Sequence, residues 1–329
     1  MTTAQTRTPQ QPPAAGVWYR LPLPSERTIR GLAIASLVSQ ITIVVTGGAV
    51  RLTNSGLGCP EWPRCTPDSL TATPEMGIHG AVEFGNRLLT FVLGTIAALM
   101  LAAVWRTLRS DRPRRDLLVP AVVLFLGIPT QAFIGGVTVW SGLNPWVVML
   151  HFMCSAVLIG VATVLVRRAQ RPLGAVPPRL GSTWLARLGG ANLVAAYLTV
   201  YLGTVVTGSG PHAGDPNSPR TGFDVASVTQ FHVHAVTLLI GLTIGLYIAA
   251  RAMGSPGRLA RVALVLLAVE LGQGLVGVTQ YVLELPELLV GLHMLGAALL
   301  VAAAVDAWLA SRWQPTHRAV EPVPTAGAV

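Results

Sequence analysis

Gln131 is followed by His151, and Gln273 by His293, each after an interval of twenty positions. Both histidines stand in apolar runs long enough to cross a bilayer, V-V-M-L-H-F-M-C-S-A-V-L-I-G and L-L-V-G-L-H-M-L-G-A-A-L-L-V. An ionisable side chain at such a place is costly and is usually kept for function. His79 opens a further apolar run, and His232 and His234 open another. Neutral imidazole is a good axial ligand for iron, and two facing imidazoles between apolar helices are the usual way to hold a b-type heme. The plainer alternative for any one of these histidines is a hydrogen bond to a carbonyl or hydroxyl of a neighbouring helix. Repetition at matched spacing favours the ligand reading. Zinc or copper would draw more sulfur, carboxylate or imidazole to one spot.

The elements that must carry these side chains are membrane-spanning helices. Of 329 residues 52% are hydrophobic and 11% charged, against roughly 25% charged in a soluble domain. Windows of about 20 apolar residues give eight spans, near 29–50, 80–104, 117–137, 145–166, 185–207, 230–251, 259–280 and 286–309. The expected fold is an all-α, polytopic membrane protein of two pseudo-symmetric four-helix bundles. Its parts are a cytoplasmic tail (1–28), an N-terminal half (29–167), a linker (168–184), a C-terminal half (185–309) and a second tail (310–329). The tails lack anything to bury and read as disordered. No cleavable signal peptide is expected, because the first apolar run is too long and lacks a small-residue cleavage site.

All 23 basic residues are arginine. Nineteen fall in the tails and the even-to-odd connections; Arg51, Arg64, Arg87 and Arg220 lie on or near the other side. Positive charge stays inside, so both termini are expected in the cytoplasm of a cell with this protein in its plasma membrane. No nucleic-acid module accompanies the charge, so no nucleic-acid partner is expected. The halves also share helix ends, T-G-G-A-V-R-L-T-N-S-G at 46–56 and L-G-T-V-V-T-G-S-G at 202–210. A long outward loop follows each.

His151 lies six residues beyond Pro145 and His293 seven beyond Pro286, about 9–10 Å down each helix. Within each half, two helices can therefore bring imidazoles to one level near the outer leaflet. Glu83, four residues after His79, could relay protons or steady positive charge beside a cofactor; alternatively it pairs with Arg87. Cys59 and Cys65 in C-P-E-W-P-R-C sit on the oxidising side, as a structural disulfide or a reversible dithiol. Glu270 reads as a hydrogen-bonded packing residue, Cys154 as an ordinary buried thiol, His212 as a loop residue near the second site, and His317 as inert.

Four segments resemble the heme A synthase family: G-G-A-V-R-L-T-N-S-G-L-G-C-P-E-W-P-R-C, E-F-G-N-R, T-G-S-G-P-H-A-G-D and G-L-H-M-L-G-A. The resemblance covers nearly all of residues 29–309. It implies an enzyme that oxidises the C8 methyl of heme O to a formyl group, giving heme A for cytochrome oxidase. It further implies a substrate heme in the N-terminal half and a heme B cofactor in the C-terminal half. Carried over by position, His151 ligates substrate iron, His293 and His234 ligate heme B, Glu83 is the catalytic glutamate, and Cys59 with Cys65 exchange electrons. Many members have E-x-x-H-R where this chain has Glu83-Phe84-Gly85-Asn86-Arg87, so either His79 ligates iron opposite His151 or the face near Asn86 is open; His79 is the choice here. His234 is chosen over His232 because Phe231-x-x-His234 parallels Glu83-x-x-Asn86. The implied partners are heme O delivered by heme O synthase, an electron donor the sequence does not name, membrane lipid, and a second copy in a homo-oligomer. The competing class is a di-heme b-type electron carrier. A duplicated transporter would need broken helices and polar midplane residues.

Overall fold

The computed structural model describes residues 23–111, 113–171, 179–180, 182–254 and 257–314. Eight long helices account for nearly all of them: α1 (Glu26–Leu52), α2 (Gly77–Thr107), α3 (Leu118–Trp140), α4 (Pro145–Ala169), α5 (Thr183–Ser209), α6 (Val225–Ala252), α7 (Gly257–Val282) and α8 (Glu287–Arg312). Each is long and apolar enough to cross a membrane, so the chain is a multi-pass, all-helical membrane protein. Apolar side chains such as Phe91 and Leu275 lie exposed on the helices, as lipid-facing residues do. His317 and most of both tails fall outside the described residues.

Helices run past the expected windows where the local chemistry allows it. Ser25 caps α1, its Oγ accepting from the Thr28 N–H at 3.1 Å, so the helix begins inside the expected tail. α8 continues to Arg312, and Trp313–Gln314 then pair antiparallel with Arg179–Leu180 of the linker. The tail was expected to be disordered from residue 310; backbone pairing with the linker gives its first residues partners.

Packing closes two rings. In the first, α1 contacts α2 and α4, and α3 lies between α2 and α4; in the second, α5 contacts α6 and α8, and α7 lies between α6 and α8. The rings meet through α4 on α8, α1 on α8 and α4 on α5. Buried residues recur between them in a fixed register. In α1 and α5 the offset is 156, as in Ile29/Leu185, Ala33/Gly189, Ser36/Asn192 and Val44/Val200. In α2 and α6 it is 146: Leu93/Leu239, Ala97/Thr243, Met100/Leu246 and Val104/Ala250. For α3 with α7 and α4 with α8 it is 142, as in Leu124/Leu266, Ile128/Glu270, Ala156/Ala298 and Ile159/Val301. The drop from 156 to 146 reflects the longer cysteine-bearing loop of the first ring. Even the tight turns repeat: Gly142 and Leu143 take φ of 60° and 59°, and Glu284 and Leu285 take 59° and 63°. Three of these four are not glycine, so the left-handed backbone is imposed by the turn between packed helices.

Candidate functional site

The repeated glutamines clamp the histidine-bearing helices. Gln131 Nε2 donates to the His151 carbonyl at 3.1 Å and to Ser155 Oγ, tying α3 to α4. Gln273 packs on Gly296, three residues beyond His293, so its side chain lies between α7 and α8. One turn after each glutamine stands a glycine, Gly135 or Gly277, where a Cβ would come within 3.4 Å of the His151 or His293 ring. The missing side chains leave room for an imidazole between the helices. In both rings the histidine Nδ1 is buried without a hydrogen-bond partner.

Depth is set by the caps. Asn144 Oδ1 accepts from the Trp146 N–H at 3.0 Å with Pro145 at the first turn, starting α4 six residues before His151. Asp224 accepts from the Ser227 N–H and Oγ, both at 2.8 Å, starting α6; those bonds hold its carboxyl below the usual range.

His293 faces His232. Their ring centres are 6.5 Å apart and the planes lie at 78°. His232 Nδ1 donates to the Thr199 carbonyl at 3.0 Å, and Gly203 leaves space beside the ring, with its Cβ position 3.1 Å from His232 Cε1. A carbonyl only accepts, so Nδ1 carries the proton and Nε2 keeps a free lone pair, the state in which metal-bound imidazoles are held. Metal–imidazole bonds are about 2 Å long, and two rings at this separation can share one iron. The donor set and spacing fit a two-imidazole heme. His234, expected as the partner of His293, is exposed. Two positions along a helix turn the side chain about 200° away, and the buried face of α6 selects His232.

The first ring holds a different set. By the 146-residue register Asn86 stands where His232 stands, two positions from the alignment that favoured His234. Its surroundings agree: Gly47, the counterpart of Gly203, lies 3.8 Å by its Cβ position from Asn86 Nδ2. Thr46 Oγ1 donates to Asn86 Oδ1 at 2.7 Å. His79, chosen as the ligand opposite His151, is exposed at the start of α2, with Nδ1 2.9 Å from Ser55 Oγ. Among the described residues no ring contact joins it to His151. It stands seven residues, about 10 Å, from the level Asn86 occupies.

Glu83 is buried, at 6% exposure, and its carboxylate is fully engaged. Oε1 pairs with Arg87 at 2.5 Å, and Oε2 accepts the Cys59 N–H at 2.7 Å. Arg87 in turn donates to the carbonyls of Cys59, Glu61 and Arg64 at 3.0–3.1 Å. Two residues of α2, one turn apart, thus bracket the C-P-E-W-P-R-C loop, which Cys59 and Cys65 close as a disulfide. Trp62, at the tip, lies on Gly136 next to Gly135 and packs edge-on against Phe133 and Trp140. The loop therefore roofs the His151 side of the first ring. The second long loop crosses between rings: Arg51 donates to the carbonyls of His212 (2.5 Å) and Thr207 (3.1 Å), and His212 Nε2 donates to the Leu285 carbonyl at 2.9 Å. Sequence reasoning missed Asn86 as the counterpart of His232, and Thr199 as its anchor. The period of buried residues, continued through both halves, carried that signal.

Fold and site together define a duplicated eight-span membrane protein with an imidazole pair in one bundle and a related, single-imidazole site in the other. The chain belongs to the cytochrome oxidase assembly protein family, COX15-CtaA, whose model it matches over residues 30–305. It is similar to the heme A synthase of Geobacillus kaustophilus (strain HTA426), 25% identical over 215 residues, which are 63% of this chain and 65% of that protein. It is likewise similar to that of Geobacillus thermodenitrificans, 24% identical with the same coverage. The heme A synthase of Bacillus licheniformis is 27% identical over 187 residues, 55% of this chain and 59% of that one. The chain thus spans just under two thirds of the length of these relatives.

Proposed function

We propose that this protein oxidises the methyl group at pyrrole position eight of heme O to a formyl group, making heme A. Substrate heme would occupy the N-terminal half and a resident heme B the C-terminal half. The observation that carries the reading is the facing pair His232 and His293 in one bundle of a chain from this family. Bound heme B would supply one-electron chemistry. The chain's own residues do the rest. His232, oriented by the Thr199 carbonyl, and His293 would hold its iron, while Gly203 and Gly277 leave room for their rings. In the other half His151 would hold the substrate from α4, and Asn86, at the register position of His232, would supply no second imidazole.

Glu83 keeps a carboxylate at the rim of that half, where it steadies positive charge beside the substrate and fixes the cysteine loop over it. The Cys59–Cys65 disulfide, on taking up two electrons and two protons from an external reductant, becomes a dithiol that can pass electrons inward. Heme O would come from heme O synthase within the same membrane. Both arginine-rich termini would lie in the cytoplasm.

Co-expression with a heme O source, then pyridine hemochrome analysis of heme extracted from the purified protein, tests the reading. Heme bearing a formyl or hydroxymethyl group is expected. Full occupancy with heme O and heme B recovered unaltered makes the chain a di-heme electron carrier instead.

A further inference from the structure

The internal repeat provides its own control. At four core positions the second ring is polar where the first is apolar or self-satisfied: Asn192, Thr199, Thr243 and Glu270 stand at the register positions of Ser36, Ile43, Ala97 and Ile128. All four are buried, at 0%, 4%, 0% and 2% exposure. Ser36 donates to the Leu32 carbonyl of its own helix, so its polarity is spent locally. The second ring is organised differently. Asn192 Nδ2 donates to Thr243 Oγ1 at 2.6 Å, and Thr243 Oγ1 donates to Glu270 Oε1 at 2.7 Å. A hydroxyl has one proton, so the chain runs in one direction, from amide through hydroxyl to carboxyl.

Three atoms are left over: Asn192 Oδ1, Glu270 Oε2 and Thr199 Oγ1 are buried without a partner. Among the described residues no ion pair includes Glu270. An ionised carboxylate deep in an apolar bundle needs a compensating charge or a proton. A single proton on Glu270 Oε2, shared with Asn192 Oδ1 directly or through one water, would serve two of the three unpartnered atoms. Several other titratable side chains on the surrounding helices are engaged elsewhere. Tyr197 on α5 donates to the Ala156 carbonyl, and Asp306 on α8 pairs with Arg167 and Arg258. His232 on α6 and His293 on α8 face each other.

The cluster lies on a ladder to those imidazoles. Glu270 precedes Gly277, the neighbour of His293, by seven residues of α7, about 10 Å along the helix. Asn192 precedes Thr199, whose carbonyl orients His232, by the same interval on α5. Seven residues are two turns, so both ladders keep to one face. At such a distance, in a low-dielectric interior, an added electron is felt by an ionisable group.

We propose that Glu270 is a proton-binding site of the C-terminal half, filled when an electron enters that half and emptied when the electron leaves. This rests on the reading of that half as a heme B site. The balance is one electron from an external one-electron reductant, changing the local charge by minus one, and one proton from solvent converting the Glu270 carboxylate to the acid. Asn192 and Thr243 are positioning residues that give the acid form its partners.

The test is potentiometric titration of the purified protein with dithionite across neutral pH, with heme content read first from the Soret band. In the wild-type chain the midpoint potential falls as pH rises; in Glu270→Gln, which keeps the Thr243 bond and cannot titrate, heme content is unchanged and the potential is independent of pH. The reduced-minus-oxidised infrared spectrum gains a protonated-carboxyl band in the wild type and lacks it in that variant. Should Glu270→Gln not accumulate, Thr243→Val leaves the acid but removes a donor to its ionised form, so the pH range of the slope moves upward. A pH-independent wild-type potential, a Glu270→Gln variant with the wild-type slope, or an unmoved range in Thr243→Val overturns the proton site while the heme reading stands. A chain without heme overturns both.

Discussion

Two imidazoles on α6 compete for one partner, and only azimuth decides between them. His232 turns inward onto the Thr199 carbonyl and faces His293, while His234 is exposed. His232→Ala is therefore expected to remove the heme proposed for the C-terminal half, lowering heme per chain by about half, and His234→Ala to leave it unchanged. Soret absorbance per protein separates the two. Asn86 gives the complementary experiment, because the register puts it where His232 stands in the other ring. Asn86→His supplies the imidazole that many relatives of this family carry in E-x-x-H-R. If substrate heme binds in the N-terminal half as proposed, the variant is expected to shift it to a two-imidazole, low-spin spectrum and to lower turnover. An unchanged spectrum in that variant contradicts the register.

At the scale of the element, two residues of α2 one turn apart govern the cysteine loop. Glu83 and Arg87 together accept or donate at Cys59, Glu61 and Arg64, so the helix acts as a rail on which the disulfide loop is mounted. Removing Arg87 leaves a largely buried carboxylate unpaired, a loss of about 3 kcal/mol. Arg87→Met is expected to expose the loop, with faster reduction of Cys59–Cys65 and earlier proteolytic cleavage between residues 57 and 73. Both are measurable by thiol labelling and mass spectrometry. Glu83→Gln keeps an acceptor for the Cys59 N–H, so it holds the loop better than Glu83→Ala; if the carboxylate charge itself serves the substrate, both lower turnover alike.

The whole molecule is tied across its two rings at both ends. At the arginine-rich end Asp306 of α8 pairs with Arg167 of α4 and with Arg258 of α7. Asp306 is buried and both arginines keep contact with solvent, so Asp306→Ala is expected to cost about 1–2 kcal/mol and to lower the unfolding temperature in detergent, more so at low salt. At the loop end Arg51 of the first ring binds two carbonyls of the second, and the Gly56 N–H donates to the Gly214 carbonyl at 2.9 Å. The Arg167–Asp306 pair holds α4 against α8, so the two histidine-bearing helices lie side by side.

The eight spans and the repeat that carries His151 and His293 were legible in the chain, because each rests on local composition or on a pattern along it. What the tertiary structure decided is azimuth. Which of His232 and His234 faces inward, and that Asn86 is the counterpart of the former, depends on how α6 is rotated against α5 and α8. A motif two positions out of register looks equally plausible in one dimension. The joining of Asn192, Thr243 and Glu270 was likewise hidden, for these residues lie on three helices and meet only when the ring closes. Periodicity within a helix is written in its own residues; the angle at which it meets its neighbours is set by packing and by loops of unequal length.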